Sequence, residues 1–488
     1  MMIRFISTRG NTDPVGFDTA VLQGFAPDGG LYVPDRLPRF TPAELARMKE
    51  LPYTALCITI LSRFIDPGII PANDLKELVR QSFSTFSHPD IVPLVPCPGA
   101  PAVSIMELFH GPTLSFKDIA MGFLVRVMDY LLEKDQRHLN LILATTGDTG
   151  PAAAHAASGL NTIDCWPLFP KGMITPEQER QMTGLAASNI HPVGVTGCPD
   201  GGDDLDRVVL NLFNDTAQKQ RLRLSSVNSI NWCRVMVQSA HYFYAYFRAC
   251  NRIGDPVVFS VPSGAFGNLF AGYLAREMGL PAVEFICAVN ANQTLYQAFT
   301  RGVFKHHALI STCSSAIDIV VPYNFWRFLY FAAGRDAGRI SAWMDEFDAT
   351  GEIALDAATR QAVNKGVTCV SITDRVTLET MNTLFASDPA YLSDPHGAVA
   401  LAAALAQQKE RADTPIVCLA TAHPAKFPET VLQALDRAPG TPLPRQARHA
   451  SLAWDGKRRE NLAVQSLDRL EAYLVRAVAS VRETPPKA

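Results

Sequence analysis

The feature of this sequence that most constrains its fold occurs twice: a short apolar run, a turn that contains glycine, and then a helical pattern. The run LNLILATTG leads to PAAAHAAS (residues 139–158), and PVVFSVPSG leads to NLFAGYLAREMG (residues 256–279). A strand that leads through a tight turn into a helix is the building unit of a mostly parallel α/β sheet. We therefore expect α/β layers over about residues 96–440.

The first part of the chain, residues 1–95, mixes short apolar runs with proline and glycine turns. Thr41 followed by Pro42 and Glu44 predicts a capped helix start. The run PLVPCPGAPA (residues 93–102) is rich in proline, which we expect to forbid regular structure and to mark a domain boundary.

The last part, residues 441–488, begins polar and basic and then becomes amphipathic. Apolar residues at helical spacing in LAVQSLDRLEAYLVRAVASV predict one helix over residues 462–481. We expect this helix to pack on the body of the protein or on a neighbouring subunit, in either a monomer or a homodimer.

The net charge, the cysteines and the apolar runs of the chain limit the classes of partner and the cellular setting that we expect. The chain has 488 residues and a formal charge of −3, so no strong field favours nucleic acid or an anionic membrane, and a small-molecule partner is expected. Its ten cysteines are scattered without a C-x-x-C pair, which favours reduced thiols in a cytoplasmic protein over disulfides or a bound metal. No run reaches the roughly 18 apolar residues of a membrane span.

A lysine in an apolar setting is the first chemical candidate. Lys117 lies in ELFHGPTLSFKDIAMGFL (residues 107–124), beside Phe116 and before an apolar helical pattern. Apolar surroundings lower the pKa of a lysine and so favour the free amine that Schiff-base chemistry needs. An ordinary surface lysine beside Asp118 is the alternative interpretation.

Two turns are candidates for binding anions. In SVPSGAFGNLFAGYLA (residues 260–275) a strand leads through glycines into a helix, where backbone N–H groups can hold a phosphate. The spacing differs from dinucleotide and P-loop motifs. In LILATTGDTGPAAAHAAS (residues 141–158) hydroxyl and N–H donors at a helix start suit a substrate carboxylate. A plain strand-to-helix turn and an ordinary helix cap are the respective alternatives.

The fourth segment is CLATAHPAKF (residues 418–427), in which an apolar strand ends at Thr421. The Thr421 hydroxyl could hydrogen-bond a ring nitrogen. His423 and Lys426 invite a metal or catalytic interpretation, but no ligands lie at matching spacing, and a structural turn around Pro424 is favoured for His423.

Taken together and in order, these segments resemble the threonine synthase family. FHGPTLSFKD is similar to its lysine motif, TTGDTG to its substrate loop, VNSINWCRVMVQ to its SINWAR segment, GAFGN to its phosphate loop and ATAHPAKF to its pyridine-nitrogen strand. FISTRG and DGGLYVP near the start resemble its N-terminal domain. The resemblance covers nearly the whole chain to about residue 435.

The resemblance implies a fold type II pyridoxal-phosphate enzyme, with two α/β domains that face each other over the cofactor and a smaller N-terminal domain. Lys117 would carry pyridoxal 5'-phosphate as a Schiff base, and Thr421 would meet the pyridine nitrogen. The cofactor phosphate would be held by Gly264, Ala265, Phe266, Gly267 and Asn268. The substrate would be held by Thr146, Gly147, Asp148 and Thr149.

The implied reaction converts O-phospho-L-homoserine, a phosphorylated amino acid, and water to L-threonine and phosphate. Two residues depart from the family pattern: Ala265 stands where asparagine is usual, and Pro151 follows TTGDTG where a small residue is usual. A phospho-lyase that releases 2-oxobutyrate, or a paralogue for another phosphorylated amino acid, is therefore the alternative. A non-enzymatic relic fits less well, because Lys117 and the phosphate loop are both present.

Overall fold

The computed structural model describes residues 2–409, 411, 413–452 and 462–481. The strands are β1 (Phe5–Ser7), β2 (Tyr32–Pro34), β3 (Leu94–Pro96), β4 (Val103–Glu107), β5 (Leu139–Ala144), β6 (Ile163–Pro170), β7 (Val193–Thr196), β8 (Leu224–Ser225), β9 (Val257–Pro262), β10 (Val283–Val289), β11 (Val303–Lys305), β12 (Glu352–Ala354), β13 (Val367–Ser371), β14 (Ile416–Ala420) and β15 (Ala463–Ser466).

The helices are α1 (Phe17–Gln23), α2 (Pro42–Lys49), α3 (Tyr53–Leu61), α4 (Ala72–Phe83), α5 (Lys117–Lys134), α6 (Thr149–Ala157), α7 (Pro176–Thr183), α8 (Gly202–Asn214), α9 (Thr216–Leu222), α10 (Trp232–Ala249), α11 (Gly267–Glu277), α12 (Thr294–Arg301), α13 (Tyr323–Ala332), α14 (Ala337–Thr350), α15 (Ala357–Val363), α16 (Asp374–Phe385), α17 (Pro395–Gln408), α18 (Pro428–Ala434) and α19 (Leu467–Ser480). Short 3₁₀ turns lie at Ser315–Ile317, Pro424–Lys426, Arg445–Ala447 and Ala450–Leu452.

The N-terminal part contains a two-stranded antiparallel sheet, β1 with β2, and the helices α1 to α4. Helix α2 begins as the sequence predicts. The Thr41 hydroxyl accepts a hydrogen bond from the Glu44 N–H, the Glu44 carboxylate accepts one from the Thr41 N–H, and Pro42 stands at the first helical position.

The first large sheet has six strands in the order β13-β10-β9-β14-β4-β3, and all pair in parallel except β3 with β4. The expectation that residues 93–102 hold no regular structure is wrong, because Leu94–Pro96 forms the strand β3. β3 is an edge strand, where the missing N–H of a proline removes no hydrogen bond from a central ladder.

The second large sheet has five parallel strands in the order β15-β7-β6-β5-β8. Strands β5 and β6 are buried along their whole length, which explains their near-continuous apolar sequence. The mostly parallel α/β architecture predicted from the strand–turn–helix units is thus present in both sheets. The proposed domain limits near residues 95 and 440 stay a prediction.

The C-terminal segment differs from its prediction. Residues Ala463–Ser466 form β15, which pairs with β7, and only Leu467–Ser480 is helical. The free edge of β7 offers backbone hydrogen bonds that the periodicity of a single sequence does not reveal. Helix α19 packs on α8, α9 and β7 of the same chain through Leu470, Leu474 and Val478.

No helix in the described part of the chain is both long and apolar enough to cross a membrane. All ten cysteines are free thiols.

We predict that Leu474→Ala destabilises the protein by about 2–5 kcal/mol, because Leu474 is 0 % exposed and its loss leaves a cavity beneath α19. Glu471→Ala, at an exposed position of the same helix, is the matched control and should change stability by less than about 0.5 kcal/mol. Denaturant unfolding measures both variants. Equal stability of Leu474→Ala and wild type would contradict the packing of α19 on this chain.

Candidate active site

The candidate segments lie at the carboxyl ends of parallel strands, where sites in open α/β sheets form. In the first sheet, residues 263–268 follow β9 and Thr421 follows the neighbouring strand β14. In the second sheet, residues 145–149 follow β5. The fold therefore gathers turns that are far apart in sequence.

Lys117 is the first residue of α5, and the loop before it is attached to the end of β14. The Phe116 N–H donates to the Thr421 carbonyl oxygen at 2.8 Å, and Ser115 forms an isolated antiparallel bridge with Ala422. These backbone contacts place the start of α5 beside the strand end. Their positions rest on main-chain pairing between segments that are about 300 residues apart.

The Lys117 amine is suited to nucleophilic chemistry. Its nitrogen lies 4.4 Å from the centre of the Phe116 ring, and no group in the described part of the chain accepts a hydrogen bond from it or forms an ion pair with it. Burial, aided by the nearby Arg234 and Lys426 and opposed by Asp148, lowers the pKa of Lys117 to about 7. A large share of this amine is therefore unprotonated at neutral pH.

The turn after β9 forms a backbone cradle. Phe266 has a φ of 63°, a left-handed conformation that turns successive N–H groups to one side before α11 begins. The N–H groups of Gly264, Ala265 and Phe266 have no acceptor among the described residues. A Cβ at Gly264 would lie 2.9 Å from the Ile317 Cα, so only glycine fits there.

Asn268 completes this cradle. Its side-chain oxygen lies 2.9 Å from His241 Nε2 and accepts from the Tyr242 hydroxyl at 3.0 Å. Its amide nitrogen Nδ2 is buried without a partner among the described residues. An unpaired buried donor beside free N–H groups fits an anion such as the phosphate of pyridoxal phosphate.

The turn after β5 is held by its own threonine. The Thr145 hydroxyl oxygen accepts from the N–H groups of Gly147 and Gly150, both at 3.0 Å. Pro151 is the third residue of α6, where the N–H that it lacks would have no partner within the helix. This unusual proline therefore costs the turn no hydrogen bond.

Asp148 is bound within the protein. Its carboxylate pairs with Lys426 at 2.7 Å and accepts from Gln178 at 3.0 Å. Burial alone would raise the pKa of Asp148, but Lys426, His396 and Gln178 outweigh it and lower the pKa to about 2. The carboxylate stays charged and anchors the loop.

One pocket is lined by some of the site residues that the sequence predicts. Of the residues predicted from sequence, Lys117, Thr146, Thr149 and Ala265 line it. The others do not line its walls: Gly147, Asp148, Gly264, Phe266, Gly267, Asn268 and Thr421. Their assigned contacts with substrate or cofactor stay predictions.

Three buried cations lie near this pocket, and the sequence did not reveal what they contact. Lys426 is 0 % exposed and pairs with Asp148. Arg234, in the SINWAR-like segment, donates to the Val227 carbonyl at 2.8 Å, and its Nε has no partner among the described residues. Arg327 donates to the carbonyls of Tyr32 and Ser229, both at 3.1 Å. The partners of Lys426 and Arg327 come from distant segments, so spacing along the sequence could not indicate these contacts.

His423 behaves as the structural residue that the sequence favoured. Its Nδ1 accepts from the Ala425 N–H at 3.1 Å and starts the short 3₁₀ turn. Burial lowers the pKa of His423 to about 4. The described residues contain no group of three or more side chains that could hold a metal ion.

Comparisons with known families agree with this arrangement. Residues 4–83 match the family "Threonine synthase N terminus", residues 90–422 match "Pyridoxal-phosphate dependent enzyme", and residues 397–473 match "Threonine synthase, C-terminal".

Two relatives illustrate the similarity. The chain is 35 % identical to the threonine synthase of Pseudomonas aeruginosa over 476 residues, which cover 97 % of this chain and 98 % of that protein. It is 37 % identical to human threonine synthase-like 2 over 436 residues, which cover 88 % and 89 % of the two chains.

Solved structures carry the same fold. Pyridoxal-phosphate-bound threonine synthase from Brucella melitensis superposes with a TM-score of 0.86 at 36 % identity and covers 98 % of this chain and 99 % of that chain. Yeast threonine synthase gives a TM-score of 0.86 at 31 % identity, with 98 % of each chain covered. The fold type II architecture and the pyridoxal 5'-phosphate cofactor expected from the sequence are confirmed. This chain belongs to the threonine synthase family of pyridoxal-phosphate-dependent enzymes.

Proposed function

We propose that this protein is a threonine synthase, a lyase that converts O-phospho-L-homoserine and water to L-threonine and phosphate. The observation that carries the proposal is the Lys117 amine, unprotonated in large part at neutral pH and without a protein partner, in one pocket with Thr146, Thr149 and Ala265. The similarity to threonine synthases over nearly the whole chain supports it.

The turn after β9 would hold the phosphate of the cofactor, and the turn after β5 would hold the carboxylate of the substrate. The free N–H groups at 264–266, with Asn268 Nδ2, would bind the cofactor phosphate, and the Thr421 hydroxyl would meet the ring nitrogen. Thr146 and Thr149 would bind the substrate carboxylate at the start of α6. Asp148 would act through Lys426, by fixing the loop rather than by touching substrate.

Pyridoxal phosphate, when bound, stabilises the electron pair that proton loss leaves on the substrate carbon. Lys117 then does the proton transfers: its amine takes the Cα proton, gives it up again and only then takes a Cβ proton. Phosphate departs from Cγ, and water adds at Cβ. A pKa of about 7 suits an amine that must accept and return protons near neutral pH. Arg234 and Lys426 favour the amine in its neutral form.

A phospho-lyase that releases 2-oxobutyrate, or that acts on another phosphorylated amino acid, is the second candidate. Ala265 favours it, since this residue lines the pocket and lacks the amide that the family usually places there. The chain is about as similar to human threonine synthase-like 2, at 37 % identity, as to the threonine synthase of Pseudomonas aeruginosa, at 35 %, so sequence similarity alone does not choose between the two candidates.

Replacing the lysine tests the chemistry. Lys117→Ala should abolish the visible absorbance of the lysine-bound cofactor and lower turnover at least about 100-fold, because it removes both the covalent anchor and the proton-transfer group. Lys134→Ala, at the exposed end of the same helix, is the control and should behave as wild type. Borohydride reduction of the wild-type protein, followed by peptide mass spectrometry, identifies the lysine that carries the cofactor. A label on a different lysine would disprove the assignment.

The cradle residues should differ in their effect on cofactor affinity. Gly264→Val should weaken pyridoxal-phosphate binding by more than about 100-fold, because a side chain there collides with Ile317 and closes the backbone approach. Asn268→Ala removes one donor and should cost about 10-fold. Fluorescence titration of the two apo-proteins, after a check that both unfold like wild type, gives the order. A larger loss for Asn268→Ala would make its side chain the main phosphate ligand.

Product analysis separates the two candidate reactions. Wild type given O-phospho-L-homoserine should form mainly L-threonine; mainly 2-oxobutyrate would establish the phospho-lyase instead. If Ala265 acts only through its backbone, Ala265→Asn should leave the ratio of the two products unchanged. A hydrogen bond from the new amide worth about 1.4 kcal/mol in one transition state would shift that ratio about tenfold and would show that position 265 controls the partition.

A further inference from the structure

Two carboxyl groups that the reaction scheme does not yet use line the same pocket as Lys117. Asp203 and Asp206 are three residues apart on α8, so their side chains share one face of the helix. Asp203 is 8 % exposed, and Asp206 is also shielded for most of its surface. Ionised carboxylates would repel a phosphorylated substrate, so the presence of two acids in this pocket calls for an explanation.

The start of α8 is pressed against the substrate turn. A Cβ at Gly202 would lie 2.6 Å from Thr146 Cγ2, so the helix carries its acids directly beside that turn. Each carboxyl also accepts a hydrogen bond from a residue outside α8. Asp203 Oδ2 accepts from the Val320 N–H at 3.1 Å, and Asp206 Oδ1 accepts from Asn228 Nδ2 at 3.1 Å.

Neither carboxyl has a cationic partner. Among the described residues no lysine, arginine or histidine forms an ion pair with Asp203 or Asp206, and Arg207 pairs instead with Asp200 and Asp204. Asp200 and Arg207 act on Asp203 through their charges, Asp200 raising and Arg207 lowering its pKa. The Tyr323 hydroxyl on α13 and the Lys117 amine are the other titratable groups that line the pocket with the pair.

Without a counter-charge, the pair holds a proton. Burial, opposed mainly by the Val320 hydrogen bond, raises the pKa of Asp203 to about 7. Burial, together with the charge of Asp203, raises the pKa of Asp206 to about 8. With pKa values of about 7 and 8, at least one carboxyl of the pair is protonated at neutral pH, and a protonated carboxyl is a hydrogen-bond donor.

We propose that Asp203 and Asp206 form the acid that protonates the departing phosphate. This role rests on the proposed function. The electron pair on Cβ forms the Cβ–Cγ double bond, the Cγ–O bond breaks with its pair going to the phosphate oxygen, and the carboxyl proton moves to that oxygen. Phosphate leaves with one charge fewer, and the carboxylate takes a proton back from water.

The protonated pair also makes the pocket compatible with its substrate. A fully ionised pair would repel a phosphate dianion, whereas one proton bound to the pair removes a charge and supplies a donor. Affinity for a dianion should therefore be highest when the pair is protonated. It should fall as pH rises through the two pKa values, by about tenfold per pH unit once the proton must be taken from solvent.

Sulfate is the probe for this linkage, because it is a tetrahedral dianion that does not itself titrate near neutral pH. Isothermal titration calorimetry of the holoenzyme in two buffers with different ionisation enthalpies, at a pH near the Asp206 pKa of about 8, should show proton uptake on sulfate binding. Asp206→Asn and Asp203→Asn should each reduce that uptake. Glu471→Gln, which alters an exposed carboxyl on α19 outside the pocket, should keep it. Absence of sulfate binding, or binding without proton uptake in wild type, overturns the proposal.

Kinetics separates proton delivery from mere positioning. Asp206→Asn should slow phosphate release from O-phospho-L-homoserine about 100-fold, yet leave turnover of L-vinylglycine close to wild type, because that compound has the Cβ–Cγ double bond and no leaving group. Equal slowing of both substrates overturns the acid role. If wild type releases no phosphate from O-phospho-L-homoserine, the proposed function fails, and the sulfate measurement still decides the protonation of the pair.

Discussion

The site depends on a buried ion pair between Lys426 and Asp148. Lys426 Nζ lies 2.7 Å from Asp148 Oδ1 and donates to the Thr113 carbonyl at 3.0 Å. It thereby joins the end of the first sheet, the turn after β5 in the second sheet and the loop before Lys117. A charge that is 0 % exposed is tolerated only with such partners, so loss of either ion strands the other in a low-dielectric interior.

Burial sets the chemistry beside this ion pair. The Lys117 amine is shielded from water and lies near the cations Lys426 and Arg234, so its neutral form is favoured, while Asp148 limits the effect. In the same pocket burial raises the pKa values of Asp203 and Asp206, with which no cation forms an ion pair among the described residues, so the pair keeps a proton. Burial thus acts on both sides of the pocket and produces a neutral base and a neutral acid.

Part of the candidate site could be predicted from local sequence. The turn after β9 needs glycine at 264 because Ile317 leaves no room for a Cβ, and such steric demands recur as short motifs. The strand at 94–96 was missed because prolines are tolerated at a sheet edge, and β15 was missed because its strand character comes from pairing with β7. Both errors concern edges, where the partner and not the residue pattern decides the structure.

By itself the sequence determined the strand–turn–helix units, the glycines that the turns require and the lysine at the start of α5, because these depend on neighbours within a few residues. Only the tertiary structure decided which charges are paired. Lys426 meets a loop 313 positions away, Asp206 meets Asn228, and Arg327 reaches across to Tyr32. The protonation state of a side chain depends on its burial and on charged groups that distant segments bring near it, and the spacing of residues along the chain determines neither.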